Sequence, residues 1–281
     1  MKTGMNLLLW TTNVTEKEHR LLEQIKTWGF DGAEIPIFSV DEGQYRAIRR
    51  QLDAAGLGCT AVTVATPEAN PISEDPKVRR AAVERLSGVL EMCAVCGAEL
   101  LCGPYYSPVG RLVGRGRTQD EWKWCTDVFR EVAEHADKVK VNLAVEYLNR
   151  FETYFLNCVE DTRSLVKAVA HPRLTMMYDT FHANIEEKAI YKSIRDSGDV
   201  LTHVHISEND RSTPGAGHVN WQDTFTALRE IGYDRWLVIE AFGQALPDLA
   251  AATCIWRRMF PDEETLAKRG LQFIRESYPA T

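Results

Sequence analysis

Eight times in succession, a short apolar run rich in β-branched residues gives way to a longer segment with apolar residues at helical spacing. Few architectures tolerate so regular an alternation. Strands are expected at residues 5–10, 32–36, 58–64, 98–103, 141–146, 174–179, 200–206 and 236–240. Helices are expected over 16–28, 44–55, 76–96, 118–137 and 159–169, with three more starting near 185, 221 and 262. Eight strand–helix units in one uninterrupted chain predict an α/β fold, a single-domain (β/α)8 TIM barrel spanning 1–281. An open doubly wound sheet is the competitor, but it wants a glycine-rich phosphate turn after its first strand. Leu9-Trp10-Thr11-Thr12-Asn13 offers none. The barrel also fits the length, since 281 residues are many for an ordinary domain and normal for this one.

Composition narrows the function. An apolar share of 44% supplies a full core, and no run approaches a membrane span. The opening Met-Lys-Thr-Gly-Met-Asn leads into an apolar run too short for a signal peptide, with no small-residue cleavage site. Seven irregularly spaced cysteines read as reduced thiols of a cytoplasmic protein rather than a disulfide framework. Cys93 and Cys96 form a C-x-x-C, but within a helical pattern that favours packing over redox chemistry. A formal charge of −7 argues against nucleic acid, whose phosphates need clustered Lys and Arg.

In a barrel the chemistry lies at the carboxyl ends of the strands. The last four expected strands carry Glu146, Asp179, His205 and Glu240 at their carboxyl ends. A carboxylate at one strand end is commonly an N-cap or a salt-bridge partner. Four ligand-type groups on four consecutive strands are harder to explain that way, because closure makes those ends neighbours. Carboxylates with a single imidazole suit Mn²⁺, Co²⁺ or Mg²⁺ better than a structural Zn²⁺. Held on a ketone oxygen and the adjacent hydroxyl, such an ion stabilises the enediolate left when the carbon between them loses its proton. Glu146 and Glu240, reaching that carbon from different directions, can then act as base and acid. Proton removal on one face and return on the other is epimerisation; one carboxylate serving neighbouring carbons would isomerise instead.

These stretches resemble the ketose 3-epimerases, typified by D-tagatose and D-psicose (D-allulose) 3-epimerase, of the xylose-isomerase-like barrel superfamily. The matching motifs are Val-Glu-Tyr-Leu-Asn-Arg-Phe-Glu at 145–152, Tyr-Asp-Thr-Phe-His-Ala-Asn-Ile-Glu-Glu at 178–187, His-Val-His-Ile-Ser-Glu-Asn-Asp-Arg at 203–211 and Val-Ile-Glu-Ala-Phe at 238–242. The loop Thr-Pro-Gly-Ala-Gly-His-Val-Asn-Trp at 213–221 is similar too. The resemblance is close over strands five to eight and mainly architectural before them. It implies a TIM-barrel isomerase that epimerises free ketohexoses or ketopentoses (tagatose, fructose and psicose, ribulose) at C3. It implies metal ligation by Glu146, Asp179, His205 and Glu240, with manganese the first choice of ion, and proton transfer by Glu146 and Glu240. Glu152, His182 and Arg211 would bind the C1–C3 end of the sugar, and the chain would form a homodimer or homotetramer.

Plainer alternatives stand beside these roles. Arg211 next to Asp210 could simply brace its loop, and His203, inward by strand alternation with His205, reads as barrel filling. Trp10, Tyr105 and Tyr106 follow strands one and four, where they would cover a sugar or pack the core. Arg111, Arg115 and Arg117, interleaved with glycines, read as a solvated loop before a phosphate site. Hydroxypyruvate isomerase and inosose dehydratase relatives use a similar ligand set. A non-catalytic sugar-binding barrel is the alternative of another class, though a binder has no need of two opposed carboxylates. A phosphosugar enzyme would want a phosphate cradle where 241–252 offers Phe, Gln, Leu and Pro, and a multi-zinc endonuclease would need more strand-end histidines and a basic face.

Overall fold

The computed structural model describes residues 1–278. Its eight strands, β1 Lys2–Asn6, β2 Gly32–Pro36, β3 Gly58–Val62, β4 Leu100–Gly103, β5 Asn142–Val145, β6 Leu174–Asp179, β7 Leu201–Ile206 and β8 Trp236–Ile239, pair in parallel in sequence order. β1 closes on β8 with Gly4 opposite Val238, so the sheet has no edge. The outer layer holds α1 His19–Trp28, α2 Glu42–Ala55, α3 Pro76–Cys96, α4 Gln119–Val139, α5 Val159–Val169, α6 Thr180–Glu186, α7 Ile190–Ser197, α8 Trp221–Glu230, α9 Pro247–Ala252 and α10 Glu263–Ser277. The expected barrel is the observed one.

Local departures have local causes. The first strand stops at Asn6, not at residue 10. The Asn6 side chain accepts a hydrogen bond from Leu8 N at 2.8 Å, and Leu7–Leu9 turns as a buried 3-10 helix. The helix expected near 185 begins at Thr180, because Asp179 accepts from Phe181 N and His182 N and caps it directly at the strand end. α9 was not anticipated. Trp10 packs on Trp28, with ring centroids 6.1 Å apart. Tyr105 and Tyr106 are fully buried against Phe129 and Phe155. The two tyrosines therefore pack the core, while Trp10 stays half-buried. The arginine loop is pinned rather than loose: Arg115 pairs with Glu121 at 2.9 Å and Arg117 with Asp161 at 2.7 Å. Cys93 and Cys96 are buried, unpaired thiols of α3.

Strand alternation sends Gly4, Gly32 and Gly58 to the interior at the amino-terminal mouth, where the Trp236 indole lies across all three. A β-carbon on Gly32 would sit 2.4 Å from that ring and 2.6 Å from Gly58 O. The indole therefore plugs the floor of the barrel beneath the polar layer described below. Trp236→Ala should cost about 3–5 kcal/mol of stability, read as an earlier midpoint in equilibrium urea unfolding; an unchanged midpoint would show that the floor is not packed by this residue.

Candidate active site

At the opposite mouth, inward alternation on β6 and β7 and the residues just beyond β5 and β8 bring Glu146, Asp179, His205 and Glu240 together. One ligand atom from each lies within 4.8 Å of all the others, and all four residues are buried. His205 Nδ1 stands 3.6 Å from Asp179 Oδ2 and 3.4 Å from Glu240 Oε1. Both His205 Nδ1 and Asp179 Oδ2 lack a hydrogen-bond partner. Asp179 serves two purposes: Oδ1 caps α6 at 2.7 Å from Phe181 N, and Oδ2 is left to face the cluster.

Three carboxylates crowded at low dielectric repel one another unless a cation intervenes. Burial first, and then the Glu240 charge, pushes the Glu146 carboxyl well above its ordinary range. Burial acts the same way on Asp179, but the nearby His205 ring, 3.6 Å away, and the backbone N–H of His182 outweigh it and hold that carboxyl low. Orphaned hard donors with one imidazole fit an octahedral or near-octahedral divalent ion such as Mn²⁺, Mg²⁺ or Co²⁺.

Glu152, His182 and Arg211 gather beside this cluster. Arg211 Nη2 donates to Glu152 Oε1 at 3.0 Å and lies 3.3 Å from His182 Nε2. Its guanidinium rests 4.1 Å from the centre of the Phe181 ring and 5.1 Å from that of Phe242, a stacking suited to a buried cation. The brace to Asp210 does not form; the nearest cation to that carboxylate is Arg257, at 3.9 Å. His182 Nδ1 accepts from Asn149 N at 3.0 Å, which leaves Nε2 as the protonated nitrogen, 3.7 Å from Glu146 Oε1. Burial, reinforced by Arg211, holds His182 below its ordinary pKa, so a neutral N–H is offered to the site. Burial would raise Glu152, but the Arg211 charge, with hydrogen bonds from Asn149 and Arg211, outweighs it and holds the group below its ordinary range.

Two carboxylates were not anticipated. Glu208, fully buried, accepts from Asn209 N, Gly215 N, Val219 N and Trp221 Nε1 at 2.8–3.1 Å. It knots the loop after β7, and its own carbonyl accepts from Arg211 N at 2.9 Å, where Arg211 takes φ 60°. The motif at 203–211 contained it without indicating this use. Glu34, also fully buried, lies under the cluster and touches His205 and His203 at 2.8 Å each. His203 thus belongs to a polar layer rather than an apolar filling. A charged residue at an inward position of β2 was the available signal.

The sequence pattern of the xylose isomerase-like TIM barrel family matches residues 22–277. A probable ketose 3-epimerase of Synechocystis sp. is 32% identical over 99% of this chain and 97% of its own length. The ketose 3-epimerase of Arthrobacter globiformis is 31% identical over 100% and 98%. Among solved structures, a D-allulose 3-epimerase from Methylomonas sp. in complex with D-allulose superposes with a TM-score of 0.93 at 26% identity, covering 99% of this chain and 97% of that one.

Proposed function

Since this chain belongs to the xylose isomerase-like TIM barrel family and, within it, to the ketose 3-epimerases, which are carbohydrate isomerases, we propose that it inverts C3 of free ketoses by proton removal and return through Glu146 and Glu240. The observation that carries this reading is the convergence of four buried ligand-type groups within 4.8 Å, two of them glutamates able to flank one carbon. Glu146, Asp179, His205 and Glu240 would hold the ion, with Mn²⁺ the first choice and Co²⁺ or Mg²⁺ acceptable to the same donors. When bound, a divalent cation supplies electrophilic polarisation of the ketone and the neighbouring hydroxyl.

The remaining work falls to side chains. One glutamate takes the C3 proton while the other, on the opposite face, delivers one, so the centre emerges inverted. His182 Nε2–H and Arg211 donate to sugar oxygens that gain negative charge, and Glu152 accepts from a hydroxyl at the same end. Burial of the cluster keeps water from the carbanion and strengthens every one of these contacts. An unphosphorylated substrate is favoured because Arg115 and Arg117 are already paired with Glu121 and Asp161. The D-allulose complex of the Methylomonas relative supports a ketohexose; a ketopentose such as ribulose fits the same C1–C3 contacts. The seven unpaired cysteines are in keeping with a cytoplasmic enzyme, and assembly as a homodimer or homotetramer completes the proposal.

Exchange of solvent deuterium into D-fructose, D-psicose, D-tagatose and L-ribulose, followed by NMR on the metal-loaded enzyme, tests the reaction class. Label should enter at C3 together with the epimeric ketose. Label at C1 with aldose formation would make the chain an isomerase, and no label with any ketose would make it a binding barrel.

A further inference from the structure

The Glu34 carboxylate, fully buried on β2, accepts five hydrogen bonds. Oε1 takes Asn6 Nδ2 at 2.9 Å and His205 Nε2 at 2.8 Å. Oε2 takes Thr60 Oγ1 at 2.9 Å, His203 Nε2 at 2.8 Å and Cys102 Sγ at 3.2 Å. Asn6 Nδ2 also reaches Glu240 Oε1 at 3.2 Å. The strands β1 to β4, which contribute none of the four clustered ligands, thus meet the cluster from below mainly through one carboxylate, with Asn6 as a second, direct contact. Glu34, Cys102, His203 and His205 lie close enough to chelate an ion of their own. Their geometry argues otherwise: adjacent ligands in a tetrahedron of about 2.0 Å bonds are about 3.3 Å apart, whereas both histidine contacts to Glu34 are 2.8 Å. Those are hydrogen-bond lengths, and each needs a proton on Nε2.

We propose that Glu34 is a positioning residue: by accepting the Nε2–H of His205 it fixes that ring's tautomer and aims the Nδ1 lone pair between Asp179 and Glu240. A metal-binding imidazole whose other nitrogen donates to a carboxylate is a stronger and better-oriented ligand. The orphaned Nδ1, 3.4 Å from Glu240 and 3.6 Å from Asp179, is the local sign of that orientation. Asn6 extends the same control to Glu240, one of the two proposed proton-transfer groups. Five donors converge on the two Glu34 oxygens, so the carboxylate accepts at all five contacts.

This inference rests on the metal reading above, and the experiment separates the two. Metal-free enzyme is titrated with Mn²⁺, free ion being counted by electron paramagnetic resonance, for wild type, Glu34→Gln and Thr60→Val; melting temperatures are taken with and without ion. Wild type should bind one ion per chain. Glu34→Gln should bind about 10–100-fold more weakly and lose most of the ion-induced rise in melting temperature. Thr60→Val, which removes a donor without touching His205, should stay within about threefold of wild type. A Glu34 with only a packing role would lower the metal-free melting temperature and leave Mn²⁺ affinity unchanged; that outcome overturns the proposal. Failure of wild type to bind would overturn the metal reading instead. Should Glu34→Gln not fold, ¹⁵N spectra of the histidine rings in metal-free wild type decide the matter: the neutral His205 ring must carry its proton on Nε2, and a neutral ring protonated on Nδ1 refutes the assignment.

Discussion

Glu146→Gln and Glu240→Gln should each lower kcat/KM for C3 epimerisation about 10²–10⁴-fold, the range lost with a positioned acid or base, while the fold survives. At the upper end that is about 5 kcal/mol of transition-state stabilisation. The amide preserves the volume and one oxygen of each side chain. Glu240→Gln can still accept from Asn6, now 3.2 Å from Oε1, and Glu146→Gln keeps the backbone bond from its N to Gly103 O at 3.2 Å. What each loses is a proton acceptor. The two-sided arrangement makes a sharper claim than loss of turnover. Glu146→Gln should still exchange the C3 proton of the epimer whose hydrogen faces Glu240, with retention, and Glu240→Gln should do the reverse. Exchange of both epimers in either variant would mean that one base serves both faces, and normal epimerisation by both variants would remove these residues from the chemistry.

Asp179→Asn should weaken Mn²⁺ binding at least about a hundredfold, since loss of an outer-shell partner alone costs about 10–100-fold. The substitution is selective. Asp179 Oδ1 caps α6 through Phe181 N and His182 N at 2.7 and 3.1 Å, and an amide oxygen can keep both bonds. The partnerless Oδ2 gives way to an NH₂ that cannot ligate a cation. His182, seated on that same cap, should hold its place, so the defect should appear as an ion requirement and be partly relieved at high Mn²⁺. Dialysis against a chelator followed by metal analysis reads it directly: wild type retains ion under conditions in which the variant emerges empty. Equal retention would place the ion, or the need for one, elsewhere.

Most of this site was legible because strand ends announce themselves. Glu146, Asp179, His205 and Glu240 each stand at or next to the end of an apolar run, and period-two alternation then fixes which way they face. Glu152, His182 and Arg211 came through motif resemblance, and the structure gathers them beside the cluster. The two carboxylates that escaped owe their roles to how the chain folds back around them, over long distances for Glu34 and within one loop for Glu208. Glu34 is marked only as a charged residue in an otherwise apolar strand, which does not name its partners, and its five donors come from β1, β3, β4 and β7. Glu208 was in plain view, but its role depends on a loop that folds back over it. Tyr105 and Tyr106 follow a strand on the functional face yet turn into the core, where Phe129 and Phe155 bury more apolar surface than an open mouth would.

The sequence alone determined the number of strand–helix units, their order and the side-chain type at each strand end, because these follow from periodicities of two and 3.6 residues read over short windows. Only the tertiary structure decided which of those ends meet within 4.8 Å, that β1 to β4 support ligands borne by β5 to β8, and that Asp179 both caps a helix and faces the cluster. Barrel closure and register set such distances between residues tens of positions or more apart, and no local pattern carries them.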